Sequence, residues 1–145
     1  MAMFGIGSKW GADRTREEKE KFFDEEKVYI GWDYKNANDL YSLFGSIKVG
    51  DIIFIKSNQP GSRKINIKGI GIIKKSFINC LLDGEYNNNS ITDFESIFIK
   101  VKWLSKKTFS IEIPENSGKL TNIRSATIYE EIHPYVQEKI IENIQ

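Results

Sequence analysis

The chain has 145 residues, 40% apolar and 28% charged, with a formal net charge of +1. That length suits one domain with a hydrophobic core, and the composition is that of an ordinary globular protein. No run of eighteen apolar residues is present, which excludes a transmembrane helix, and Met1–Trp10 lacks the charged start and long apolar stretch of a secretory signal. Cys80 is the only cysteine, so no internal disulfide forms, and a reducing, cytoplasmic location is expected.

The distribution of charge says more than the net value. Residues 51–110 carry ten basic and five acidic side chains, whereas the segments on either side carry more acidic than basic ones. A local basic surface attracts a polyanion even on a nearly neutral protein. Lysines on a strand edge also block edge pairing, and charge alone leaves both readings open.

In chain order, Phe4–Gly11 comes first, with glycines around Ile6 and Trp10 that let the backbone approach another surface. Residues 15–26 are expected to form a short surface helix, capped by Asp13 or Thr15. Val28–Trp32 suits a strand, and residues 33–38 a polar loop. Leu40, Leu43 and Phe44 have helical spacing, with Asp39 as a cap and Gly45 as the end.

The central stretch, residues 50–75, is a hairpin. Gly50 and Asp51 form a turn that feeds the apolar run Ile52–Ile55. A loop rich in turn formers, residues 56–62, precedes a second strand through Ile65, Ile67, Ile70, Ile72 and Ile73. Gly69 and Gly71 inside that strand mark a bulge or a close approach of another group. Phe77–Leu82 continues apolar, and residues 83–90 form a polar loop holding Tyr86. Ser96–Leu104 is a strand whose Ile97, Ile99, Val101 and Trp103 alternate with Lys100 and Lys102, so that one face is core and the other basic. Phe109, Ile111 and Ile113 alternate again. Residues 120–123 form a short apolar stretch. Val136, Ile140, Ile141 and Ile144 place one face of a final helix on the core, with Pro134 in its first turn. The expected architecture is a single α+β domain over residues 1–145: a small open β-barrel of about six strands with flanking helices and a C-terminal helix.

Catalytic constellations are not found in the sequence, and no enzymatic activity is expected. His133 and Cys80 are single representatives of their types, which removes a Cys/His zinc site. Cys80 lies in an apolar stretch that suits an inert buried thiol. A Ser-His-Asp triad would need His133, which sits beside Pro134 at a helix start without any triad motif. Asp83, Glu85 and Asp93 cluster in a loop, with no strand pattern that sets a lysine beside them as a nuclease centre requires. No cofactor or metal is implied.

Aromatic residues point elsewhere. Trp103 lies on a core periodicity. Trp10 stands among glycines beside Lys9 and near Arg14, and Trp32 ends a strand at a polar loop. A half-exposed indole near basic groups is a stacking platform for a nucleobase, although both rings could equally close the barrel ends.

Four stretches together resemble the PUA-like superfamily, in its EVE and YTH branches. Ser8-Lys9-Trp10-Gly11 resembles the early tryptophan segment of the YTH aromatic pocket. Ile47–Ile55 resembles the glycine–aspartate turn and strand of EVE and PUA-like domains, and Ile67–Ile73 its partner strand. Ile97–Leu104, followed by Leu120–Arg124, resembles the later strand and its downstream segment.

The resemblance implies a non-catalytic nucleic-acid-binding module that recognises a modified base, for example a methylated one, flipped into an aromatic cage. By position Trp10 is one wall and Trp32 or Tyr86 another, while Ser57 and Asn58 hydrogen-bond the base edge. Lys9, Arg14, Lys56, Arg63 and Lys74 would hold phosphates, which position without specifying. The expected partner is DNA or RNA, with an effector protein as a further partner and no membrane. The alternative is a protein-interaction or nucleotide-like small-ligand module on the same scaffold.

Overall fold

The computed structural model describes residues 1–10, 16–30, 38–59, 61–86, 97–117 and 126–144. Strand β1 is Met3–Gly7, and a two-residue pair follows, β2 (Lys9–Trp10) with β3 (Arg16–Glu17). Helix α1 (Lys19–Glu25), strand β4 (Lys27–Tyr29) and helix α2 (Asn38–Ser46) lead to the central hairpin of β5 (Ile52–Ser57) and β6 (Lys64–Lys75). Helix α3 (Phe77–Leu82), strands β7 (Phe98–Ser105) and β8 (Phe109–Glu112), a 3-10 turn (Glu115–Ser117), strand β9 (Ile128–Glu130) and helix α4 (Pro134–Glu142) complete the order.

The main sheet runs β4-β7-β6-β5-β1-β9, with β8 pairing to β6. It curls into a half-barrel, and the fold is α+β with a C-terminal helix. The twelve-residue β6 organises it. One edge of β6 pairs with β5, and the other pairs first with β8 and then with β7. β1 and β5 are parallel, from Met3 opposite Ile52 to Gly7 opposite Lys56. A parallel pair needs a long crossover, here the chain from β2 through α2.

Both sheet faces are covered. Phe4, Ile6, Ile53 and Ile55 belong to one core, with Phe22 and Phe23 of α1 and Phe44 of α2. Met3, Ile52 and Phe54 belong to the other, with Val136 and Ile140 of α4. Successive strand residues point to opposite faces, so the uninterrupted apolar run of β5 feeds two cores at once. The turn before β5 is built as its residues suggest. Gly50 takes φ +92°, and the Asp51 carboxylate accepts the backbone N–H groups of Lys48 at 2.8 Å and Ala2 at 3.0 Å.

The glycines of β6 mark both a bulge and a close approach. Register shifts occur between Ile55 and Lys56 against β6, and between Ile70 and Gly71 against β7. A Cβ on Gly69 would stand 2.7 Å from Phe23 Cε1, and one on Gly71 2.3 Å from Val101 Cγ1. Gly5 likewise lies under the Tyr129 ring, 2.6 Å from where its Cβ would be.

Two expectations change, and a third stretch gains its secondary structure. The charged helix begins at Lys19, because Arg16 and Glu17 pair with Trp10 and Lys9 instead. Phe77–Leu82 is a helix. Ser76 and Asn79 form a capping box at its start, with Ser76 Oγ accepting the Asn79 N–H at 3.2 Å, and that polar signal overrides the apolar run. Trp103 is on its strand but only half-buried; it packs edge-on to Phe23 at 5.0 Å and donates its indole N–H to Phe22 O at 2.9 Å. Among the described residues no helix is long and apolar enough to cross a membrane.

Candidate nucleic-acid interface

Antiparallel pairing of β4 and β7 sets Tyr29 opposite Phe98 and Lys27 opposite Lys100. Residues two apart on a strand share a face, as do directly opposed residues. An aromatic pair and a lysine pair therefore lie side by side on one face.

The aromatic pair extends into a row. Trp10 meets Tyr29 at 6.0 Å, Tyr29 meets Phe98 at 6.0 Å, Phe98 meets Tyr86 at 5.1 Å, and Tyr86 meets Phe77 at 5.5 Å. Edge-on and tilted contacts of this kind add about 0.5–1.5 kcal/mol each beyond area burial. Tyr86 donates its hydroxyl to Phe98 O at 2.5 Å, and burial pushes the phenol well above its ordinary range. Cys80 beneath it is buried, and that burial raises its thiol as well.

Cations sit on this row. Lys21 Nζ is 5.1 Å from the Trp10 ring centre and 4.6 Å from that of Tyr29. Arg16 lies 5.7 Å from the Trp10 ring, and Lys27 Nζ 3.9 Å from the Phe98 ring. Trp10 itself is 4% exposed and packed among Phe22 and Tyr29. The half-exposed platform expected of it is corrected to a closed aromatic cluster roofed by cations.

The lysine pair also extends. Lys75 of β6 is opposite Lys100 of β7, so Lys27, Lys100 and Lys75 form a row across three neighbouring strands. Like charges opposed in this way are destabilising. Glu85 offsets them, with one oxygen 2.5 Å from Lys100 Nζ and the other 2.5 Å from Lys75 Nζ, and Asp83 pairs with Lys75. The Lys100 and Lys75 ammonium groups hold the Glu85 carboxyl down at about 2, and Asp83 and Glu85 push Lys75 up.

The other expected site residues do not converge. Lys56 is 6% exposed and donates to Ala126 O at 2.9 Å, with its ammonium 5.4 Å from the Tyr129 ring. Its expected phosphate contact is corrected to an internal tie between β5 and the chain before β9. Arg63 donates to Pro114 O at 2.9 Å, at the β8 end of β6, while Lys74 is exposed at the opposite end. Lys9 is exposed on β2 beside Trp10. Ser57 ends β5, and the following Asn58 keeps its side-chain Oδ1 buried, with no hydrogen-bond partner among the described residues. Arg14, Trp32, Gly11, Asp13, Thr15, the loop at 33–37, Asp93 and the Leu120–Arg124 segment lie outside the described residues.

A second polar cluster pairs its groups with one another. Glu17 accepts the Ser8 hydroxyl and the Lys68 ammonium, each at 2.5 Å, and Ser8 is 1% exposed. Burial alone would raise the Glu17 carboxyl, but the hydrogen bonds from Lys68 and Ser8 outweigh it and leave it lowered. Lys68 is the extra residue at the β6 bulge, which turns it toward Glu17. A groove of about 330 Å³ lies between Phe23, Asp24, Glu26, Trp103 and Lys106, and its two carboxylates make it a poor place for a polyanion.

Sequence reasoning missed Lys21, Lys27 and Tyr29. The spacing of Lys27 and Tyr29 on one strand face was the available signal, but their partners on β7 are some seventy residues away. Among the described residues, no three histidine, cysteine or acidic side chains converge as a metal site. No protein-family model matches the chain, and no curated protein matches it significantly.

Proposed function

We propose that the chain is a non-catalytic nucleic-acid-binding module of the PUA-like, EVE/YTH type, which takes a modified base into the aromatic cluster around Trp10 and Tyr29. The observation that supports this best is Lys21, whose ammonium stands over both rings. An aromatic pair that holds a cation also favours a flat, electron-poor methylated base, whose methyl group gains by burial and stacking. In this reading Lys21 swings aside on its flexible stem and the base takes its place. Lys9, exposed beside Trp10, holds a phosphate, and extrusion of the base costs a few kcal/mol that the cage offsets.

The test is where a ligand acts. Titration of methylated oligonucleotides, as DNA and as RNA, should shift the NMR signals of the Trp10 indole and the Tyr29 ring first. Perturbation confined to other surfaces would reject the cage.

A protein-interaction module is the second reading. It is favoured by Ile78, Leu81 and Leu82, which leave α3 51%, 45% and 77% exposed at those positions. Partner binding that persists at high salt would support it, because phosphate contacts weaken there.

A further inference from the structure

The row Lys27, Lys100 and Lys75 is unusual in that three like charges occupy directly opposed positions on β4, β7 and β6. Strands lie about 4.7–4.9 Å apart, so the row spans roughly 10 Å, enough for more than one oxyanion. Two carboxylates from the segment after α3 already lie on it: Glu85 bridges Lys100 and Lys75, and Asp83 pairs with Lys75. Among the described residues no carboxylate pairs with Lys27, whose ammonium rests on the Phe98 ring. Among the described residues the row therefore ends in a cation without an acidic partner, beside the aromatic row.

We infer that Lys27, Lys100 and Lys75 form a binding track for a phosphate-bearing polyanion, and that Glu85 and Asp83 occupy this track in the free chain as stand-ins for phosphate oxygens. Resting on the nucleic-acid reading above, the track would carry the backbone that flanks the base in the aromatic cluster. Carboxylate and phosphate oxygens both accept charge-assisted hydrogen bonds from ammonium groups, so ligand and Glu85 compete for the same donors. An intramolecular competitor lowers apparent affinity by the fraction of time it occupies the site.

Two probes test the track. Tripolyphosphate reports on the anion site alone, and a single-stranded oligonucleotide reports on the backbone of a nucleic acid. Glu85→Gln is expected to bind tripolyphosphate at least about threefold tighter than the wild type. Asp83→Asn should move affinity in the same direction, and the double change Lys27→Gln with Lys100→Gln should cancel the gain. With the oligonucleotide the same order should hold, and each lysine removed should reduce the salt slope by about 0.7. Thermal melts without ligand identify any variant that fails to fold. Unchanged tripolyphosphate affinity in both carboxylate variants and in the double lysine variant overturns the track. Oligonucleotide binding that ignores these substitutions overturns it as a backbone contact while the base-binding reading stands. Tripolyphosphate binding in the expected order, without oligonucleotide binding by any chain, supports the track as a free-polyphosphate site and removes the nucleic-acid reading.

Discussion

Lys21 holds its ammonium 5.1 Å from the centre of the Trp10 ring and 4.6 Å from that of Tyr29. One side chain of α1 thus closes the junction between β2 and β4. Cation–π contacts contribute about 0.5–1 kcal/mol at partly exposed sites. Lys21→Met keeps most of the apolar stem and loses the charge, so it should lower stability to urea by about that amount, and Lys21→Arg should restore it. Equal stability of Lys21→Met and the wild type would show that the ammonium contributes nothing there.

Gly69→Ala and Gly71→Ala should both destabilise the fold. At Gly69 the added methyl meets the Phe23 ring, a side chain that can shift a little. At Gly71 it meets Val101, Trp103 and the Lys102 carbonyl together, so no single side-chain movement relieves it. Overpacking costs about 1–3 kcal/mol, with Gly71→Ala the worse of the two in urea titration. Gly45→Ala, with nothing within 4 Å of the added methyl, is the control and should gain about 0.5–1 kcal/mol within α2.

These two glycines show what can be read from residues alone. Isoleucines around a glycine-interrupted core reveal the β5–β6 hairpin, because local composition and period carry the strand signal. That Phe23 covers Gly69 is invisible, since α1 and β6 meet only through the folded chain. The amphipathic spacing of Val136 and Ile140 likewise locates α4 and its buried face. β1 escapes as a central strand because its partners, β5 and β9, lie far along the chain. At the candidate site, the basic face of β7 is legible in the alternation around Lys100. The opposition of Lys100 to Lys27 and Lys75 is not, because register between distant strands leaves no local mark. Trp10 stands out by its setting, but its burial depends on Phe22 and Tyr29, which its own neighbourhood does not announce.

Acid should act through Glu85. Its carboxyl titrates at about 2 in the folded chain, against an ordinary value of 4.5. A lowered folded value gives stability that is present above the ordinary value and lost as pH falls toward 2. Between about pH 5 and pH 2, the wild type should therefore lose stability more steeply than Glu85→Gln. Because Glu85 is partly exposed, salt should shrink that difference. Parallel pH profiles of the two proteins would show that the bridge to Lys100 and Lys75 does not form in solution.

Ser76→Ala removes the hydroxyl that accepts the Asn79 N–H, and with it half of the capping box on α3. Loss of such a cap costs about 1 kcal/mol. Hydrogen exchange should rise first at the amides of Phe77–Cys80 and remain slow in β5 and β6. Uniform acceleration across the sheet would mean that α3 is not a separate unit of stability.

The most direct test of base recognition is the ratio of affinities for two oligonucleotides that differ by one base methyl group. One buried methyl is worth about 0.8 kcal/mol, which is about fourfold in affinity. The wild type should prefer the methylated strand by at least about that factor, and Trp10→Phe, which keeps an aromatic ring in the core but offers a smaller stacking surface, should reduce the preference. Equal and negligible binding of both strands by the wild type would contradict the account.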